Sequence, residues 1–90
     1  METLDEAREH LAAGRLVEGR RVAEQLVAEA DDEAVQVAAF EVLARAHWFQ
    51  NARLDAARAV ALGRARAQRA GDTAGEARLR LLGLEVALAG

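Results

Sequence analysis

Apolar residues return at helical spacing along this chain. Phe40, Leu43, Ala44 and His47 occupy positions i, i+3, i+4 and i+7, and Leu79, Leu82, Gly83 and Val86 repeat that spacing 39 residues later. Such a stripe marks one face of a helix. Starts and stops are legible between the stripes. Thr3 is followed three residues on by Glu6, and Thr73 by Glu76, two pairs in which the hydroxyl caps a helix start and the carboxylate reaches back. Asp31 or Asp32 can cap a third start, and Asp55 sits near a fourth. Gly14, Asn51 and Gly71 tolerate the left-handed backbone that ends helices. The pattern predicts five helices, near 3–13, 16–30, 33–50, 54–70 and 73–89. Connections of two to four residues force neighbours to pack antiparallel.

Composition agrees with an all-α chain. Ninety residues without proline make one domain, 1–90, which buries roughly 60 to 65% of its unfolded surface. The net charge of −3 argues against a nucleic-acid partner, because such modules carry a basic surplus. All twelve basic residues are Arg, which reads as the bias of a high-GC genome. Cysteine is absent, so thiolate metal sites and disulfides are excluded, and a reducing, cytoplasmic setting fits. No apolar run approaches the roughly 20 residues of a membrane span. The only hydroxyl side chains are Thr3 and Thr73, both read as caps. Without a nucleophile beside a base, a phosphate loop or a metal cluster, no enzyme and no cofactor is expected.

The stripes also form an internal repeat. Ala7 and His10 echo Ala44 and His47 at a distance of 37 residues. Ala7 to Gly14, Ala44 to Asn51 and Gly83 to Gly90 are each seven residues. Leu16 and Leu54 follow the first two breaks, and the small residues Gly19 and Ala57 follow them in turn. Small residues at Ala7, Ala44 and Gly83 let helices approach closely, so a large side chain at Gly83 should overpack and cost about 1 to 3 kcal/mol. Since one hairpin cannot bury its apolar stripe, the units must stack.

Phe40-x-x-Leu43-Ala44-x-x-His47 and Leu79-x-x-Leu82-Gly83-x-x-Val86, with Gly14-x-Leu16 and Ala57-x-x-x-Ala61, resemble the tetratricopeptide repeat (TPR) family. GDTAGEARLRLLGLEVALAG at 71–90 is similar to the repeat openings of longer-pitched arrays in bacterial regulators and signalling proteins. The pitch is 37 to 39 rather than 34, the turn before Leu54 carries an extra residue, and the proline that usually closes a repeat is missing. The resemblance implies about two and a half helical hairpins, with the first helix of each lining a concave groove. It places Glu41, Arg45, Trp48 and Phe49 in that groove, with Arg8 and Arg80 at recurring places on the other first helices. It implies a protein or peptide as partner.

Each candidate has a plainer reading. Phe40 belongs to the core. Trp48 and Phe49 lie about 100° and 200° further round the helix, so at least one ring either anchors a partner or fills the gap to a neighbouring repeat. Arg8, Arg45 and Arg80 either hold a peptide carboxylate through paired N–H donors or are solvated. His10 and His47 read as packing residues rather than a metal pair. Arg58, Arg64, Arg66 and Arg69 read as a solvated basic face. On the fifth helix, Leu81, Leu84 and Leu88 form a second apolar stripe opposite Leu79, Leu82, Val86 and Ala89. Left in water it would mark an interface. The isolated chain is therefore expected to dimerise or aggregate through this helix, whether or not it continues past Gly90 in a longer protein.

Overall fold

A computed structural model describes residues 2–89. Among them five α-helices and no strand are found: α1 (Leu4–Ala12), α2 (Leu16–Glu29), α3 (Glu33–Phe49), α4 (Arg53–Ala70) and α5 (Thr73–Leu88). None is long and apolar enough to cross a membrane. α1 and α3 begin at caps that the sequence offers, and α1, α3 and α4 end at its breakers. Thr3 Oγ1 accepts the Glu6 N–H at 3.3 Å, and Asp32 Oδ1 accepts that of Ala34 at 2.9 Å.

Three of the four connections share one hydrogen-bonded turn. Gly14, Asn51 and Gly71 have φ of 81°, 64° and 71°. The following N–H, of Arg15, Ala52 or Asp72, donates back to the carbonyl of His10, His47 or Ala67 at 2.8 to 2.9 Å. That is the closure a left-handed residue makes possible at a helix C-terminus. From His10 to His47, and from Gly14 to Asn51, the separation is 37 residues. It persists into the next helix, where Leu16 matches Arg53 and buried Gly19 matches buried Ala56.

This register corrects two expectations. There is no extra turn residue before α4, so Leu54 and Ala57 are not the counterparts of Leu16 and Gly19. A shift of one residue turns a helix by about 100°, and Leu54 accordingly points out, 87% exposed. No side chain caps α4, whose cap position is Ala52, so Asp55 does not play that part. The Thr73–Glu76 pair does not form a capping box either. Asp72 caps α5 by accepting the Gly75 N–H at 2.8 Å, and Glu76 is turned inward.

Short connections make successive helices antiparallel. The first helices touch one another, α1 with α3 and α3 with α5, whereas α2 and α4 do not meet. Phe40, Leu43, Val60, Leu79, Leu82 and Val86 form the core between α3, α4 and α5, and Val22, Leu26 and Val37 continue it under α2. A close approach of three helices lies at Gly63 of α4. A Cβ there would stand 2.7 Å from Phe40 Cβ and 2.8 Å from Leu79 Cδ1. Gly83, expected at such a contact, is half-buried and would meet only Val60 Cγ1, at 3.1 Å.

Candidate functional site

On α3, positions 41, 45 and 49 succeed one another at intervals of four and so share a face. The C-terminal half of α1 carries Arg8, Leu11 and Ala12 alongside. The two helices enclose a hollow of about 230 Å³ lined by Arg8, Leu11, Glu41, Val42, Arg45 and Phe49. Small-molecule sites run to roughly 300–1,000 Å³, so this one has room for a side chain or two rather than for a cofactor. Val42 and Leu11 form the apolar floor. Phe49 stands at one end with 53% of its surface exposed.

The charges around the hollow are incompletely matched. Glu41 accepts the Arg78 Nε–H at 3.1 Å, while the Arg45 guanidinium is 3.7 Å away. Arg8 reaches Asp5 only at 4.0 Å. Both last distances exceed hydrogen-bond length. Among the described residues, therefore, neither Arg8 nor Arg45 makes a carboxylate hydrogen bond of ordinary length, and exposed pairs of this kind hold by at most about 1 kcal/mol.

Four of the residues singled out from the sequence, Arg8, Glu41, Arg45 and Phe49, thus meet in one place. Trp48 is adjacent but set back. Its ring stacks on Phe49 with centroids 6.0 Å apart and planes at 22°, and it is half-buried against the core. Of the pair, Trp48 packs against the core and Phe49 is the exposed ring. Arg80 is elsewhere: it donates to Glu76 at 2.8 Å and lines hollows on the α4 side of α5. The arginine that α5 sends to Glu41 is Arg78, which the repeat pattern did not indicate. Two residues along a helix differ by about 200°, so choosing Arg80 chose the opposite face. The spacing of Glu41 and Arg78, 37 residues, was the available signal.

Among the described residues, Glu76 is the one charged residue in the core, 8% exposed. It holds Arg64 at 2.9 Å and Arg80 at 2.8 Å, tying α4 to α5. The Arg80 hydrogen bond, joined by that from Arg64, keeps its carboxyl below the ordinary value of 4.5 against the opposing effect of burial. Arg66 donates to Gln36 on α3. Half of the basic face expected on α4 is therefore spent on internal bonds, and Arg58 and Arg69 remain exposed. The histidines lie in different hairpins, half-buried, and His10 Nδ1 accepts the Arg15 Nε–H at 2.9 Å.

On α5, Leu81, Leu84 and Leu88 are 61%, 54% and 84% exposed, opposite the buried Leu79, Leu82 and Val86. No family model, curated protein or solved structure matches the chain.

Proposed function

We propose that the chain is a TPR-like interaction module of the bacterial cytoplasm that receives a peptide or helix in the groove between α1 and α3. The hollow carries this reading: an apolar floor, one exposed aromatic ring and two arginines that make no carboxylate hydrogen bond of ordinary length among the described residues. The recurrence of one turn at a 37-residue interval, and the contact of first helices with first helices, support the repeat character. The ligand is a protein segment that presents a carboxylate beside an apolar side chain. Arg8 and Arg45 hold the carboxylate, and the side chain lies between Phe49 and Leu11. Buried aromatics and arginines are the residues on which most of such binding energy rests.

A displayed peptide library selected on the chain tests this. Enriched peptides should pair Asp, Glu or a free C-terminus with a large apolar residue. Binding should change Trp48 fluorescence through the Phe49 stack. Phe49→Ala or Arg45→Ala should weaken binding tenfold or more with helicity retained. Peptides that bind equally well to both variants would exclude the groove.

The exposed stripe Leu81, Leu84 and Leu88 favours a second reading, a self-assembling structural unit with no separate ligand, in which two α5 helices pair about a two-fold axis. Leu81→Glu with Leu88→Glu would return such a dimer to monomer.

A further inference from the structure

Charge is divided unevenly along the chain. Residues 1–33 hold ten carboxylates against four arginines, whereas residues 34–90 hold five against eight. The two parts therefore differ in sign, −6 against +3, and together give the net charge of −3.

On the positive part, α4 and α5 leave a trench between them. It consists of two hollows of about 340 and 350 Å³ that share Ala57 and Gly83. Its floor is made of small residues, Ala57, Ala61, Gly83 and Ala87, so another backbone can come close. Leu54 and Leu84 stand beside it, 87% and 54% exposed. Arg53, Arg64 and Arg80 are its charged lining residues, and no carboxylate lines it. Glu76 offsets one of these three charges, which leaves a positive surplus. On the negative part, the outer face of α2 is exposed. It presents Val17, Glu18, Glu24, Ala28 and Glu29, with Arg21 on the face and Arg20 at its edge. Glu24 stands 3.9 Å from Arg20 with its side chain 54% exposed.

The geometry points to head-to-tail self-association, in which the α4–α5 trench of one copy takes the outer face of α2 of a second copy. α2 has 14 residues, a rod of about 21 Å, shorter than the 18-residue α4 beside which it lies. Its glutamates meet the trench arginines, and Val17 and Ala28 meet the small-residue floor. A two-fold pairing of trench with trench would instead set arginine against arginine. Because the two mating surfaces differ, each added copy offers a fresh trench, and growth does not stop at a dimer. The surface is separate from the α1–α3 groove, so Phe49→Ala leaves association unchanged and either reading can fail alone.

Sedimentation velocity on the full chain over a concentration series tests the proposal. The average mass should climb past that of a dimer. It should fall at about 1 M NaCl, where the Debye length is about 3 Å. Leu54→Glu with Ala57→Glu closes the trench, and Glu18→Arg with Glu24→Arg reverses the helix face. Each variant alone should be monomeric with the circular dichroism of the parent, and an equimolar mixture should form a one-to-one dimer and nothing larger. If the trench pair loses helicity, Leu54→Glu alone, at a fully solvated position, replaces it. A parent that stays monomeric throughout overturns the proposal. So does a parent that stops at a dimer, ignores the α2 change and is dissociated by Leu81→Glu with Leu88→Glu.

Discussion

Gly63 shows how much one missing methyl group can matter. In a helix interior alanine is favoured over glycine by about 1 kcal/mol, so Gly63→Ala should stabilise an isolated helix. Here the new Cβ would fall within 2.8 Å of both Phe40 and Leu79. One of these contacts is with the Cβ of Phe40, which moves only if α3 moves. Overpacking typically costs about 1 to 3 kcal/mol, and after the helix-propensity gain the net expectation is a loss of up to about 2 kcal/mol, read from the urea midpoint at constant slope. Gly83→Ala, with a single neighbour, should cost less. The sequence marks both glycines as small residues on helices, but it does not say which lies under an aromatic ring of another helix. Phe40 as core was legible from its stripe. Arg78 and Ala56 were not, because each differs by one or two positions from a residue that fitted the repeat equally well, and that small error rotates the side chain to another face.

At the scale of elements, the five helices were almost fully legible. Their ends are written in residues with a definite backbone or capping preference, and Thr3, Asp32, Gly14, Asn51 and Gly71 all act as their chemistry implies. The exceptions are the start of α4, which no side chain caps, and the start of α5, where two adjacent cap formers compete. Asp72 takes the position, and Glu76 is released to bridge α4 and α5. This bridge gives the α4–α5 contact a pH dependence. A carboxyl whose folded-state value is depressed adds stability that is complete above its unfolded value, near 4.5. That stability is lost as the pH falls through the lower folded-state value. Glu76→Gln should therefore destabilise the chain at neutral pH, and the gap to the parent should narrow below about pH 4.5. Thermal melts of both proteins across that range measure it. A gap that is constant with pH would mean that Glu76 acts by packing alone.

For the molecule as a whole, the antiparallel packing of successive helices was legible from the short connections, and the distribution of surfaces only in part. Alternation of large and small residues shows that helices pack, and the second stripe on α5 shows that one face lacks cover. The trench beside it is formed by alanines on α4, which in sequence are ordinary helix residues. Only when α4 and α5 are set side by side do Ala57, Ala61 and Gly83 become a continuous floor. The hollow of Arg8, Arg45 and Phe49 was better signalled, because Arg8 and Arg45 recur 37 residues apart and Phe49 lies off the packing stripe of its helix.

α3 touches every other helix, whereas α2 and α4 have no contact with each other. Its central position sets the order in which the molecule comes apart. The α1–α2 hairpin can open while α4 and α5 stay on α3, and α5 can leave while α1 and α2 remain. Neither event exposes the whole core, so each should cost less than global unfolding. Amide hydrogens of residues 37–46 should be the last to exchange, at the rate of complete unfolding. Those of α1 and α5 should exchange earlier and independently of each other. Uniform protection across all five helices would instead mean that the chain opens as a single cooperative unit. With independent ends, a ligand held between α1 and α3 would slow exchange in the first hairpin and leave α5 free to fray.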